Sequence, residues 1–290
     1  MGVMIALVLA VCGVTGSPTV TFRPETASTD VPADPNIVPQ MAKNTEQEQL
    51  LVIEVPEEDV METGELNPNQ YPAQRAAKVV QHYLNTRHGS PFKLFGLQRV
   101  HGGNAEDVAD SGRKYQLEIT VHEIISNAAQ KCSVEVLFPR GEKQRSADVQ
   151  ASCEELLKIN TTAQEQALYE QFKTNKSLVS AQYLPDSHGH IEPQNKPLWH
   201  LGIVASSFVM LKESSENSLY NMAQVVNITQ QATEDDHLKF DCHTLLHELV
   251  SQEIVPWKLL FTWSPAEGVK VVQMEQLPHC HECEKPPNSD

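Results

Sequence analysis

Positive charge is scarce in this 290-residue chain, where 22 Lys and Arg face 38 Asp and Glu for a formal net charge of −16. A surface of that sign repels phosphate backbones, so nucleic acid is excluded as a partner. Long apolar runs are missing too. None reaches the roughly 18 residues of a bilayer span, and the longest sits at the extreme N-terminus, so a multi-span membrane protein is excluded. The arrangements from which common catalytic sites are built are also absent, including Gly-x-Ser-x-Gly, phosphate-loop and dinucleotide fingerprints. A zincin helix needs two His one turn apart beside a Glu, and neither His122-Glu123-Ile124-Ile125-Ser126 nor His247-Glu248-Leu249-Val250-Ser251 supplies the second His. His243 and His247 are four apart but flank a strand pattern. His279-Cys280-His281-Glu282-Cys283 packs its soft ligands into five residues without a second ligand pair, and reads as a local disulfide or a mobile tail. The chain is therefore read as non-enzymatic, with no cofactor and no metal site.

What the chain does contain begins with an uncharged apolar segment, Met1 to Val14, running into Thr15-Gly16. Residues 1–16 read as a secretory signal peptide. The acceptor sequons at Asn160, Asn175 and Asn227 agree with export and predict a glycoprotein. Removing the signal removes Cys12 and leaves five cysteines in a compartment where disulfides persist. Residues 17–66 are Pro-rich and carry 11 acidic residues against Arg23 and Lys43, a balance of −9. That segment has too little apolar surface to offset the entropy of ordering and is expected to be a disordered extension.

Beyond it the hydrophobic periodicity becomes regular. Ala76, Val79, Val80, Tyr83 and Leu84 form one stripe over Ala73 to Thr86, with Pro72 before and Gly89 after, which predicts an amphipathic helix. Phe92 to Val100 reads as a strand, followed by Gly102-Gly103 and a polar loop. Tyr115 to Val121 and Cys132 to Phe138 alternate as strands, and Val149 to Cys153 returns as another. The order then recurs, with a buried helix over Trp199 to Leu211 and strands over Leu219 to Ile228, Leu238 to Cys242 and Trp257 to Trp263. A shift of 125 residues lays Val121-His122-Glu123-Ile124 on Leu246-His247-Glu248-Leu249, Tyr115 on Phe240, Val134 on Leu259, Val136 on Phe261 and Phe138 on Trp263. The chain is a duplication. Between the copies, Gln164 to Ser177 predicts a linking helix, closed by a turn at Pro185-Asp186-Ser187-His188-Gly189.

One helix on an antiparallel sheet, duplicated around a helical linker, resembles the latexin family. The resemblance runs from about Asn67 to Leu277. It is carried by Asn69-Gln70-Tyr71-Pro72-Ala73-Gln74-Arg75-Ala76-Ala77, by Pro185-Asp186-Ser187-His188-Gly189-His190-Ile191-Glu192-Pro193 and by Leu245 through Trp257. The secreted branch of that family, which includes eggshell-matrix proteins, fits through the signal peptide and the pair Cys132 and Cys153. The resemblance implies an α+β protein of two tandem cystatin-like units, residues 67–159 and 189–277, with a linker over 160–188 and a tail over 278–290. It further implies inhibition of A-type zinc carboxypeptidases through the turn from His247 to Gln252. His247, Glu248, Ser251 and Gln252 are the protease-contact candidates, with Glu248 departing from the family's amide residue. Cys132 and Cys153 fall on adjacent predicted strands, where a disulfide forms easily, and Cys242 on an inward strand position reads as a buried thiol.

Two other partner classes follow from the sequence. Gln98-Arg99-Val100-His101-Gly102 fits the Gln-x-Val-x-Gly hairpin by which cystatins block papain-like cysteine proteases, so Gln98, Val100 and Gly102 form an alternative inhibitory hairpin. The Pro-Trp partner edge, Pro256-Trp257, belongs to the other copy. The dense carboxylates of residues 17–66 also suit calcium mineral or the proteins of a mineralised extracellular matrix.

Overall fold

Each half of the chain begins with a short strand, sends a helix across a sheet, and then weaves four antiparallel strands beneath that helix. The computed structural model describes residues 63–109, 111–141, 146–175, 177–232 and 236–278. The expected signal segment, nearly all of the acidic extension, Cys280 and Cys283 lie outside the described residues. The first half runs β1 (Gly64–Glu65), α1 (Tyr71–His88), β2 (Phe95–Val108), β3 (Gly112–Glu123), β4 (Ala128–Pro139) and β5 (Asp148–Ser152). A one-turn helix α2 (Glu154–Leu157) and α3 (Thr162–Thr174) lead to the second half. There the order is β6 (Ser180–Leu184), α4 (Lys196–Glu213), β7 (Tyr220–Gln231), β8 (Leu238–Glu248), β9 (Ile254–Ser264) and β10 (Gly268–Gln276). The result is an α+β fold with two five-stranded antiparallel sheets, β1-β2-β3-β4-β5 and β10-β9-β8-β7-β6.

The residues dictate this arrangement. Pro72 and Pro197 stand in the first turns of α1 and α4, where a missing N–H costs nothing. Ala73, Ala76, Ala77, Val79, Val80 and Leu84 are buried on α1, and the small alanines bring the helix close to its sheet. In the strands the inward residues pair as the duplication predicts: Tyr115 faces Val136 and Phe240 faces Phe261, Leu117 faces Val134 and Cys242 faces Leu259. Even the irregularities repeat. The β2–β3 register shifts between Leu97 and Arg99 and between Val100 and Gly102, and the β7–β8 register shifts between Met222 and Gln224 and between Val225 and Asn227.

Several boundaries differ from the sequence reading, and β2 continues through Gly102 and Gly103 to Val108 where that reading places a loop. Gly64 and Glu65 pair with Ala105 and Asn104, and Leu66 is buried in the first core, so the end of the acidic segment is ordered. The linker region supplies β6 to the second sheet, which therefore begins before residue 189. β10, absent from the sequence reading, forms that sheet's edge.

The two halves complete one another. The described residues form one compact unit, in which α1 packs on the first sheet, α4 on the second, and the helices on each other. Gly89 ends α1 where a Cβ would stand 2.8 Å from Val204 Cγ2 of α4, so this crossing requires glycine. Leu94, from the first half, lies in the second core, while Leu219, its equivalent 125 residues on, lies in the first. The Nε2–H of His82 donates to the Tyr220 carbonyl at 2.9 Å, and the Nδ1–H of His200 donates to the Pro91 carbonyl at 2.6 Å. Cys132 on β4 and Cys153 after β5 are bonded, their Cα atoms 5.2 Å apart across a separation of 21 residues. A loop of that length stabilises the fold by about 3 kcal/mol through chain entropy. Cys242 is a buried free thiol that desolvation, assisted by the Asp241 charge, holds well above the ordinary thiol range.

Candidate functional site: the turn between β8 and β9

The turn from Glu248 to Glu253 reverses the chain between two long strands, and its conformation is set by one carboxylate. The Glu248 N–H donates to the Glu253 carbonyl at 2.9 Å, closing the turn. Glu248 Oε1 accepts the N–H of Leu219 at 3.1 Å, and Oε2 accepts those of Val250 at 3.1 Å and of Ser251. Burial alone pushes the Glu248 carboxyl up. The N–H groups of Ser251, Leu219 and Val250, with the Ser251 hydroxyl, outweigh burial and hold it below the ordinary carboxylate range. Gln252 has φ of 62°, a left-handed conformation, and its Nε2 donates to the Leu249 carbonyl at 2.5 Å. Leu249 packs against the first core, and its N–H donates to the Leu219 carbonyl at 2.8 Å.

Of the contact candidates, Ser251 and Gln252 are exposed on the turn, beside Val250, which is 54 % exposed. His247 lies on the face of β8 opposite buried Leu246 and Glu248 and is half-buried. Glu248 requires a correction. It is buried with both oxygens committed to backbone, so it positions the turn and offers nothing to a partner. Sequence reasoning treated this charge as surface; the signal that it is not is Glu123, which occupies the same place in the first copy.

The alternative hairpin is also corrected. Gln98, Val100 and Gly102 lie inside continuous β2, with Val100 opposite Ile119 and Gly102 opposite Glu118, and the chain reverses only after Val108. The two bulges fall at Gln98 and His101, and the ladder continues through Gly102 and Gly103, so these residues do not project as a wedge. Val100 is buried. The sequon residues Asn160 and Asn175 are exposed at the two ends of α3, while Asn227 is half-buried on β7. Among the described residues no three His, Cys, Asp or Glu side chains converge as metal ligands, and no helix is long and apolar enough to cross a membrane.

A duplicated helix-on-sheet scaffold with carboxylate-held turns is the class of protein that the geometry defines. The Latexin family model matches residues 66–281, and the chain belongs to that family. It is 34 % identical to latexin of Homo sapiens over 215 residues, covering 74 % of this chain and 97 % of that one. It is likewise 34 % identical to retinoic acid receptor responder protein 1 of Homo sapiens over 223 residues, 73 % of each chain. To ovocalyxin-32 of Gallus gallus it is 30 % identical over 208 residues, 71 % of this chain and 74 % of that one.

Proposed function

We propose that the protein is a secreted, non-enzymatic inhibitor of A-type zinc metallocarboxypeptidases that docks through the β8–β9 turn. Members of its family are inhibitors and not enzymes, and Leu245 to Trp257 is one of the strings that carry the resemblance to that family. The observation that carries the reading is the Glu248 latch. It fixes the backbone before any partner arrives, so Ser251 and Gln252 are presented with little ordering entropy left to lose on binding. The tandem cystatin-like description fits the repeated order of one helix and five strands. Export is supported by the apolar N-terminal segment, the three sequons and the Cys132–Cys153 bond.

The test is a titration of an A-type carboxypeptidase with the purified full chain. Reversible inhibition is expected, and His247→Ala with Gln252→Gly should weaken it by about 1–3 kcal/mol, because few residues dominate such interfaces. Glycine is used at 252 because alanine would strain the positive φ. No inhibition by the wild type at micromolar concentration overturns the reading.

A second reading, deposition in a mineralised matrix, is favoured by the 11 carboxylates of residues 17–66. Since Gly64 to Leu66 join the first sheet, the deletion that tests it ends at Glu62. Unchanged adsorption to calcite after that deletion removes the role.

A further inference from the structure

Positive charge is scarce in this chain of net −16, yet it gathers at the C-terminal end of α1. Arg87 and His88 in the last turn of that helix, Lys93 on the approach to β2 and Lys158 after α2 line one pocket of about 530 Å³. The first turn of α3 and the turn between β9 and β10 supply its other walls. A cleft of this size accommodates a small organic molecule.

The negative end of α1 accounts for Arg87 and His88, because cations there offset the helix dipole. It does not account for Lys93 or Lys158, which other segments bring to the same place. Arg87 lies over the Tyr83 ring, 5.7 Å from its centroid, and the Lys93 Nζ donates to the Ile159 carbonyl at 3.3 Å, but among the described residues neither they nor His88 form an ion pair. Burial, then the charges of Lys93 and Arg87, hold the His88 imidazole below its ordinary value, so the three face one another as like charges. The carboxylates in the walls are committed elsewhere. Glu165 accepts the Thr161 hydroxyl, and Glu267 is paired with His237 and, at 2.8 Å, with Lys270. Lys158 alone of the four cations has a carboxylate, that of exposed Glu155.

Like charges held together in a cleft cost free energy until an anion sits among them. A guanidinium fork beside an ammonium fits a sulfate or phosphate group, whose charge is spread over several oxygens. Among the described residues no Phe, Tyr or Trp side chain lines the pocket, so a nucleobase finds no ring to stack on. Ser90, Asn160 and Thr162 offer hydroxyl and amide groups instead. The body that carries the anion is therefore polar as well, which is the chemistry of a sugar.

We propose that this pocket binds a sugar bearing a sulfate or phosphate ester, with Arg87 and Lys93 holding the oxyanion and His88 adding to the positive field. The site is separate from the β8–β9 turn and does not depend on its reading. Glu248 of that turn acts on Tyr71 at the start of α1, and 18 residues of helix place the pocket about 27 Å further along the axis. Isothermal titration of the full chain with glucose 6-sulfate and with glucose 6-phosphate tests the proposal, with glucose, inorganic sulfate and inorganic phosphate as controls. Asn160 lines the pocket within its sequon, so the wild type and Thr162→Ala, which removes the sequon and keeps Asn160, are both titrated. Saturable binding of one ester per chain by either form is expected, and the tighter ester identifies the source of the oxyanion. Arg87→Gln and Lys93→Gln should each weaken it about tenfold, the loss of one charge-assisted contact. Lys212→Gln, in the last turn of α4, should leave it within twofold. Because Lys93 also anchors Ile159, its variant must keep the melting temperature; Arg87 is exposed, and Arg87→Gln decides the matter alone if Lys93→Gln fails to fold. Glucose or a bare inorganic ion that binds as tightly as the esters overturns the ligand assignment. No saturable binding of either ester at millimolar concentration, or binding that survives Arg87→Gln unchanged, overturns the site.

Discussion

Replacing Glu248 by Gln isolates what the latch contributes. An amide keeps one acceptor where the carboxylate used two. If its oxygen stays with the Val250 and Ser251 amides, its NH2 confronts the N–H of Leu219, a residue buried in the first core. A buried donor left without a partner costs about 1–3 kcal/mol, and the two remaining bonds, solvent-accessible and no longer charge-assisted, lose roughly 0.5 kcal/mol each. The expected loss is about 2–4 kcal/mol, a fall in Tm of roughly 5–15 °C for a unit of this size. Urea denaturation at pH 7 measures it directly. The pH dependence supplies a second check. Because the folded carboxyl sits below its unfolded value, its stabilisation is present above the unfolded pKa, about 4.3, and is lost as pH falls through the folded one. The gap between wild type and Glu248→Gln must therefore close below about pH 4. A gap under about 0.5 kcal/mol at pH 7, or one that persists undiminished in acid, refutes the latch.

Two more outcomes follow from the interface between the halves. Burial, with the Lys78 charge adding to it, pushes the His82 imidazole down to about 3, so the unfolded chain takes up a proton that the folded one refuses as pH drops below about 6.5. Stability should fall by up to about 1.4 kcal/mol per pH unit between there and pH 4, and His82→Gln, which keeps a donor for the Tyr220 carbonyl, should flatten that slope in urea midpoints; parallel slopes contradict it. Leu94→Ala and Leu219→Ala should each cost about 2–5 kcal/mol and lower one shared calorimetric transition, because each leucine fills the other half's core. A trace that splits into two transitions shows that the halves melt independently.

Much of the scaffold was legible because the residue pattern is written twice. Alternation placed β3, β4, β8 and β9, and the 125-residue shift anticipated which residues face each other, such as Tyr115 with Val136 and Phe240 with Phe261. β10 was not legible, since after Val269 its alternation is interrupted by a register shift between Val271 and Gln273. β6 was hidden by its brevity and by Tyr183, whose φ of 51° breaks the strand pattern. Gly102 and Gly103 suggested a reversal because glycine marks both turns and bulges, and composition cannot separate the two. At the site, His247 to Gln252 was found by resemblance, but the inward direction of Glu248 depends on a backbone amide more than twenty residues away. Local sequence does not carry that information.

The paired bulges in β2 and β7 bear on how such long strands find one alignment. A strand of a dozen residues slid by two positions keeps its apolar side chains on the same face, so hydrophobic patterning alone penalises such an error weakly. Here a slip would move two unpaired residues out of the sites where the partner strand accommodates them, at Leu97/Arg99 and Val100/Gly102 in one sheet and at the corresponding pair in the other. The irregularities thus behave as notches in a ratchet: each half of the chain closes its ladder in a single register, and neither long strand can drift along its partner without first breaking both notches.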